Sequence, residues 1–162
     1  MKGKTGRKKK TALILHNIRS VYNVGSIFRT ADAVGISKVY LTGYTPTPLD
    51  RFGRKRKDFH KTALGAEDSV PWEQVLSPQA LLKRLRGEGF FLAALEQSPR
   101  AVRYKKFTPK FPLAVVFGNE VRGVSPQLLA LCDAIVEIPM RGKKESLNVA
   151  VAAGVLLFHL LD

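Results

Sequence analysis

The chain has 162 residues, 45% of them hydrophobic, which is enough to bury one core and form one domain. It carries 27 Lys and Arg against 13 Asp and Glu, a formal net charge of +14. This excess favours a polyanionic partner, because every neutralised phosphate releases counterions, although a solubilising surface would also explain it. The single cysteine, Cys132, excludes an internal disulfide and a paired-cysteine metal site, and we expect a buried, inert thiol.

The first ten residues read MKGKTGRKKK, and we predict a disordered basic arm over 1–10 because this stretch has almost nothing to bury. The arm lacks the apolar centre of a signal peptide, and no apolar run is long enough to span a bilayer. We therefore expect a cytoplasmic protein with no membrane partner, in which residues 11–162 form a single domain.

Apolar runs and amphipathic segments alternate along the rest of the chain. Continuous apolar runs, typical of strands covered on both faces, occupy 12–16, 38–43, 90–95, 113–118 and 134–139. A turn-like segment, NIRSVYNVG, precedes a helix that Gly35 closes, and the apolar face of this helix carries Val24, Ile27, Phe28, Ala31 and Val34. Two more helices begin at Ser77 and Ser125, each followed by proline. The pattern predicts a three-layer α/β fold with a mainly parallel sheet.

The last predicted helix, at about 147–160, is apolar nearly all round. We expect the sheet and a second subunit to bury it, since a lone monomer would leave a large apolar patch.

A long connection, 44–61, is predicted to lack secondary structure and to be functional. It contains a basic cluster of Arg51, Arg54, Lys55, Arg56 and Lys57. Phe52 and Phe59 lie in the same segment and could stack on bases while the charges track phosphates. The alternative is a solvated charge run whose two phenylalanines pack on the core. A second basic stretch contains Arg100, Arg103, Lys105, Lys106 and Lys110.

Several common site patterns are absent from the sequence. It has no GxGxxG, no GxxxxGK[ST] and no GxSxG, and its three histidines, His16, His60 and His159, lack metal-ligand spacing, so we expect no metal site. What remains is a set of polar residues near strand ends: Asn23, Arg29, Asn119, Glu120, Ser146 and Asn148. The two turns at 117–126 and 138–152 each follow an apolar run, which predicts a ligand pocket at the carboxyl edge of the sheet.

Three motifs, in order, give these residues a context. The first, NVGSIFRTADAVG, contains Asn23, Gly25 and Arg29 in the pattern N-x-G-x-x-x-R. The second, FGNEVRGVS, contains Gly118, Asn119, Glu120 and Gly123. The third, IPMRGKKESLNVA, contains Ile138, Pro139, Met140, Gly142, Ser146, Leu147 and Asn148. With these motifs the sequence resembles the SpoU (TrmH-like) family of RNA ribose 2′-O-methyltransferases, within the SPOUT superfamily.

The resemblance implies a sheet that ends in a C-terminal trefoil knot, a homodimer, and S-adenosylmethionine as the methyl donor. It implies cofactor contacts from Leu95, Gly118, Asn119, Ile138, Met140, Ser146 and Leu147. In the family the arginine matching Arg29 is assigned as a general base that reaches the site from the other subunit. Because a guanidinium stays protonated, we favour the hypothesis that Arg29 stabilises the developing alkoxide or holds the adjacent phosphate. Ser146 and Asn148 would orient the ribose, and Asn23 with Glu120 would fix the catalytic loops.

Two other functions share these features. One is a non-catalytic RNA-binding module with the same fold, which needs the same charge. The other is a methyltransferase for a protein or a small molecule, which would leave the basic connection without a purpose. Among RNA substrates we favour tRNA over rRNA, because a compact enzyme can recognise an exposed loop by its shape and its single-stranded bases.

Overall fold

The computed structural model describes residues 9–162, and all structural statements below concern that part of the chain. Its strands are β1 (Thr11–His16), β2 (Lys38–Thr42), β3 (Trp72–Val75), β4 (Phe91–Leu95), β5 (Val102–Arg103), β6 (Leu113–Phe117) and β7 (Ala134–Glu137). Its helices are α1 (Val21–Val34), α2 (Lys57–Ala63), α3 (Ala66–Ser69), α4 (Pro78–Gly87), α5 (Pro126–Leu129) and α6 (Val149–Leu161), and a 3-10 turn covers Tyr104–Lys106.

The seven described strands form one sheet in the order β3-β2-β1-β6-β4-β7-β5, and every neighbouring pair is parallel. Leu15 of β1 pairs with Phe117 of β6, and His16 pairs with Thr42 of β2, so these strands end together. The turns that follow β1, β2, β4, β6 and β7 therefore meet at one carboxyl edge.

Both faces of the sheet are covered, which explains why its strands read as continuous apolar runs. One core lies between the sheet and helices α1, α2, α3 and α6. The other lies between the sheet and helices α4 and α5. Along β1 the side chains alternate: Leu13 and Leu15 enter the first core, while Ala12 and Ile14 enter the second. The predicted three-layer parallel α/β fold is confirmed.

The sequence signals for helix ends act as expected in most places. Ser77 and Ser125 are N-caps, and each side chain accepts a hydrogen bond from a backbone N–H three residues later. Gly35 closes α1 in the left-handed conformation. The prediction was wrong at the start of α1, because Ser20 caps the helix and the segment Val21–Gly25 is helical rather than a turn.

The long connection 44–61 is not without structure, and that part of the prediction was wrong. Its last residues form α2, which packs across α1. Phe59 is fully buried there, edge-to-face against Phe28 with ring centroids 5.1 Å apart. Phe59 therefore belongs to the core, as the alternative interpretation had it, and cannot stack on a base.

Two further strands were not predicted, β3 and β5. Both lie at the ends of the sheet, where a strand is covered on fewer sides and needs no continuous apolar run. β5 is two residues long, and both are exposed, so its sequence carries no strand pattern.

The residues of α1 and α2 approach each other closely at Gly25, the glycine of the first motif. A Cβ atom there would lie 2.1 Å from Thr62 Oγ1 and 2.8 Å from the Phe59 carbonyl oxygen. Gly25 is thus required for helix packing, whatever its relation to chemistry.

β7 lies between β4 and β5 in the sheet, so the connection 96–101 from β4 to β5 has to pass the carboxyl end of β7. The trefoil knot that the family resemblance implies is not established by this strand order and stays a prediction.

Most of the predicted N-terminal arm lies outside the described residues. Of the two arm residues that are described, Lys10 accepts a backbone hydrogen bond from Leu113 through its carbonyl oxygen. Within residues 9–162, none of the helices has the length and apolar character needed to cross a bilayer.

We expect Gly25→Ala to lower the free energy of unfolding by about 1–3 kcal/mol, because the added methyl group overpacks the contact between α1 and α2. Urea unfolding followed by circular dichroism measures this. Gly87→Ala is the matched control, since Gly87 ends α4 with no atom within 4 Å of an added Cβ and should leave stability unchanged or raise it by up to about 1 kcal/mol. Equal effects of the two substitutions would contradict the packing role of Gly25.

Candidate active site

A cavity of about 280 Å³ opens at the carboxyl edge, between the segments that follow β4, β6 and β7. All seven residues predicted to contact a cofactor line it: Leu95, Gly118, Asn119, Ile138, Met140, Ser146 and Leu147. Phe117, Val149 and Ala152 add to its apolar wall. The two turns predicted from the sequence, at 117–126 and 138–152, and the segment after β4 thus surround one concave space of mixed polar and apolar character, as in small-molecule sites.

One wall of this cavity, the turn after β6, depends on a close contact between its own backbone segments. A Cβ atom on Gly118 would lie 2.3 Å from the Gly123 carbonyl oxygen and 2.7 Å from the Val124 nitrogen. Gly123 itself has φ +66°, and its backbone forms two hydrogen bonds with the backbone of Asn119. Gly118 and Gly123 are therefore required for this turn. Gly142 has no such constraint, because no atom lies within 4 Å of an added Cβ.

Glu96, which the sequence analysis did not single out, holds the turn after β4 against the turn after β6. Its carboxylate accepts hydrogen bonds from the backbone N–H groups of Gln97 and Val124, both at 2.8 Å. An added Cβ on Gly123 would lie 1.8 Å from Glu96 Oε2, so the glycine leaves the room that this carboxylate occupies. The only sequence signal for Glu96 is its position directly after a buried strand.

Gln97 extends this connection to the third turn. Its side-chain amide donates a hydrogen bond to the carbonyl oxygen of Glu145, in the loop that follows β7. Glu96 and Gln97 together link all three segments around the cavity.

Glu120 holds the turn after β6 against the residues that precede α1. Its carboxylate accepts hydrogen bonds from the backbone N–H groups of Arg19 at 2.8 Å and Ser20 at 3.1 Å. Since Ser20 is the N-cap of α1, Glu120 connects the second motif to the helix that carries the first.

Asn119 makes a comparable set of bonds. Its side-chain oxygen accepts hydrogen bonds from the N–H groups of Val121 and Arg122, both at 2.9 Å. Its amide nitrogen lies 2.9 Å from the Asn17 carbonyl oxygen and 2.9 Å from the Tyr44 hydroxyl. Asn119 thus ties the turns after β1, β2 and β6 together.

Asn148 and Asn23 form the contact between the third motif and the first. Asn148 is the N-cap of α6, and its side-chain oxygen accepts hydrogen bonds from the Ala150 and Val151 N–H groups. Its amide donates to the Asn23 side-chain oxygen at 3.0 Å. Ser146, two residues earlier, is exposed at the rim of the cavity.

Arg29 is not among the residues that line the cavity of its own chain. It lies six positions beyond Asn23 on α1, which is about 9 Å along the axis and about 120° around it. Its side chain is exposed and forms no ion pair with the described residues. The structure does not bring Arg29 together with the other predicted catalytic residues within one chain.

The basic cluster of the connection 44–61 is largely paired with carboxylates. Arg54 pairs with Asp50 at 3.1 Å, Lys55 with Asp68 at 3.3 Å, and Arg56 with Asp58 at 2.7 Å. The Asp58 carboxylate raises the pKa of Arg56, and the guanidinium of Arg56 lowers the pKa of Asp58. Arg51 and Lys57 have no carboxylate partner among residues 9–162.

Phe52, in the same connection, is 66% exposed. The guanidinium groups of Arg51 and Arg54 lie 4.8 and 5.0 Å from its ring centroid. An exposed aromatic ring between two arginines is available for stacking, in contrast to Phe59.

Titratable groups elsewhere in the described part of the chain form no metal site. Within residues 9–162 no cluster of three or more His, Cys, Asp or Glu side chains is arranged to hold a metal ion. The thiol of Cys132 lies 3.4 Å from the Leu128 carbonyl oxygen, and burial raises its pKa to about 11, so it is protonated and unreactive at neutral pH. His159 packs edge-to-face on Tyr104.

Comparison with known proteins agrees with this geometry. The family model described as the SpoU rRNA Methylase family matches residues 10–158. A tRNA (guanosine(18)-2'-O)-methyltransferase from Aquifex aeolicus is 33% identical over 94% of this chain and 69% of that protein. A putative TrmH family tRNA/rRNA methyltransferase from Staphylococcus aureus is 33% identical over 93% of this chain, which spans only 58% of that relative.

Among solved structures, an AdoMet-bound rRNA methyltransferase from Sinorhizobium meliloti superposes with a TM-score of 0.84 at 27% identity. The superposition covers 94% of this chain and 56% of that one. The family match extends over nearly the whole chain and includes all three motifs, of which the second and third line the cavity. The chain therefore belongs to the SpoU rRNA methylase family.

Proposed function

We propose that this protein transfers a methyl group from S-adenosylmethionine to a ribose 2′-hydroxyl of RNA, and that it acts as a homodimer. The observation that carries the proposal is a cavity lined by residues of the second and third motifs, in a chain that belongs to an RNA methylase family. The proposed methyltransferase domain comprises residues 11–162.

The cavity suits S-adenosylmethionine in size and in chemistry. Its volume of about 280 Å³ is close to the lower end of the ~300–1,000 Å³ of typical small-molecule sites. Leu95, Ile138 and Leu147 supply apolar surface for an adenine ring, and the backbone of the surrounding turns supplies hydrogen-bonding groups. The absence of a side chain at Gly118 leaves the Gly118–Gly123 backbone pair in close contact, which fixes this wall in one shape.

When bound, S-adenosylmethionine supplies a methyl group on a positively charged sulfur, open to displacement by an oxygen nucleophile. The protein then has to hold the ribose oxygen in line with that methyl group, and such positioning can supply much of the rate. Ser146 at the rim and Asn148, two residues later, would orient the ribose. Glu120 and Asn23 keep the turns that carry these residues in register.

Negative charge develops on the ribose oxygen as its proton leaves. We assign Arg29 to stabilise this charge or to hold the neighbouring phosphate, because a guanidinium stays protonated and does not act readily as a base. Since Arg29 does not line the cavity of its own chain, it would serve the cavity of the partner subunit.

The surface of α6 supports the proposed dimer. Val151, Val155 and Phe158 are exposed and recur at intervals of four and three residues, so they form one apolar stripe on this helix. The opposite face of α6, including Leu156 and Leu157, is buried in the core. An exposed stripe of this kind is typical of a helix that packs against a second subunit.

For the RNA we favour tRNA over rRNA. The loop before α2 presents the exposed ring of Phe52 and the unpaired charge of Arg51 and Lys57. Such a surface fits a single-stranded loop, in which bases are free to stack on aromatic side chains. Arg54, Lys55 and Arg56 would contribute to this contact once their carboxylate partners have been displaced or screened.

Gly118→Ala is expected to lower the affinity for S-adenosylmethionine at least tenfold, because the new methyl group would overlap the backbone at Gly123. Isothermal titration calorimetry measures this affinity. Gly142 lies in the third motif, after β7, and no atom lies within 4 Å of an added Cβ. The control Gly142→Ala should therefore change the affinity less than twofold. If the unaltered protein bound no S-adenosylmethionine at high concentration, the non-catalytic RNA-binding module would be favoured instead.

Arg29→Ala should reduce the methyl-transfer rate about 100-fold or more and leave the affinity for S-adenosylmethionine nearly intact, since Arg29 acts on the ribose oxygen and lies outside the cavity. Transfer of labelled methyl groups to tRNA measures the rate. Full activity in this variant would refute the assigned role.

The same variant tests whether the arginine acts across subunits. A heterodimer of an Arg29→Ala subunit and a Gly118→Val subunit keeps one composite site with an intact cavity and an intact arginine. It should therefore regain about half of the activity of the unaltered dimer, although each homodimer is inactive. An inactive heterodimer would show that Arg29 does not act in the partner's cavity.

Phe158→Asp should convert the protein to a monomer in sedimentation velocity and abolish methyl transfer, because a carboxylate would be buried in the apolar contact. Phe158 is 53% exposed in the single chain, so the fold itself should tolerate the change. The control is Leu76→Asp, at an apolar residue 77% exposed beyond the far edge strand β3. A stable, active monomer of the unaltered protein would contradict the dimer.

A further inference from the structure

The two basic segments of the chain differ in how many of their charges are paired. In the basic cluster of the connection 44–61, three of the five members form ion pairs with nearby aspartates. In the second segment, 100–110, none of the five forms an ion pair within residues 9–162. Arg100, Arg103, Lys105, Lys106 and Lys110 are all exposed. The second segment therefore offers more uncompensated positive charge.

The start of this segment lies beside the cavity. Arg103 is the last residue of β5 and pairs in register with Glu137 of β7, directly before Ile138 of the cavity wall. Because neighbouring strands are about 4.8 Å apart, the backbone of Arg103 lies one strand spacing from a wall of the cavity. Arg100 precedes it in the connection from β4 to β5. Lys105 and Lys106 follow in the 3-10 turn, which leads the chain away from the cavity to Phe107, whose ring centroid lies 6.3 Å from that of Phe91 at the start of β4.

The loop after β7 adds charge to the same place. Arg141, Lys143 and Lys144 are exposed and form no ion pair within the described part of the chain. The bond from Gln97 to the Glu145 carbonyl oxygen keeps this loop next to the connection from β4 to β5. Together with Arg100 and Arg103, these cations border one side of the cavity and have no carboxylate partner within residues 9–162.

We propose that this cationic rim, formed by Arg100, Arg103, Arg141, Lys143 and Lys144, binds the RNA phosphates next to the methylated ribose. The proposal rests on the proposed function and names the surface that holds its substrate. Phosphates flank every ribose of an RNA strand, so a ribose at the cavity mouth brings phosphates within reach of a rim one strand spacing away. Cations without carboxylate partners bind them without first breaking an ion pair.

Lys110 provides an internal contrast. Its ammonium group lies 5.7 Å from the ring centroid of Phe91, the first residue of β4. Lys110 is therefore at the amino edge of the sheet, about 13 Å from the carboxyl edge at 3.3 Å per residue. It has the same charge as Arg103 and is likewise exposed, but it lies outside the rim.

Charge reversal at these two positions tests the proposal. Each full-length variant, Arg103→Glu and Lys110→Glu, is titrated into fluorescently labelled bulk tRNA over a series of salt concentrations. Loss of one phosphate contact should weaken binding by Arg103→Glu about fivefold at 0.1 M salt and reduce the salt slope by about 0.7. The double variant Arg103→Glu/Lys143→Glu should roughly square the loss, whereas Lys110→Glu should change affinity less than twofold.

Two controls separate this surface from the catalytic assignment. S-adenosylmethionine affinity should be unchanged in all of these variants, and Arg103→Gln should weaken tRNA binding less than Arg103→Glu does. If Arg103→Glu and Lys110→Glu weakened binding equally, or if neither did while the unaltered protein methylated tRNA, the rim would be refuted and the proposed function would stand. An unaltered protein that bound S-adenosylmethionine but no tRNA would overturn the tRNA substrate together with this surface.

Discussion

Two carboxylates hold the turn after β6, and the shape of the site depends on them. Glu96 accepts two backbone N–H groups on one side of this turn, and Glu120 accepts two on the other. Hydrogen bonds to an ionised acceptor are stronger than neutral ones, so four such bonds fix a loop that has little apolar side-chain packing of its own. The close approach of Gly118 and Gly123 completes the turn. The side of the cavity formed by this turn is therefore shaped by backbone contacts and fixed by hydrogen bonds to two carboxylates.

The basic side chains of the described residues fall into two groups: those that form ion pairs with carboxylates and those that do not. Beside α2, Arg54, Lys55 and Arg56 are matched by aspartates and contribute to the local structure, although Arg51 and Lys57 are not matched by any described residue. Around β5 and after β7, the basic side chains have no carboxylate partner within residues 9–162. The formal charge of +14 therefore overstates what one segment offers to a polyanion and understates what another offers. Composition alone cannot make this distinction, because it depends on which side chains meet in space.

The central strands and the helix caps could be predicted because each has a local cause: a continuous apolar run, or serine before proline. The edge strands β3 and β5 could not, since neither is covered enough to need such a run. The motif residues around the cavity were found through family resemblance, whereas Glu96 was missed because its partner, the Val124 N–H, is distant in sequence. Phe59 was considered for base stacking because it lies in a basic segment, but its side chain is fully buried in the core.

The bond between Asn148 and Asn23 has a consequence for the proposed dimer. Through Asn23, helix α1 touches the centre of its own chain, and through Arg29 the same helix would serve the centre of the other. Each active site would thus be connected to the active site of the other subunit through helix α1, with the two points of contact about 9 Å apart along the helix axis. A movement of this helix would therefore change both active sites, so substrate binding in one subunit would affect the other.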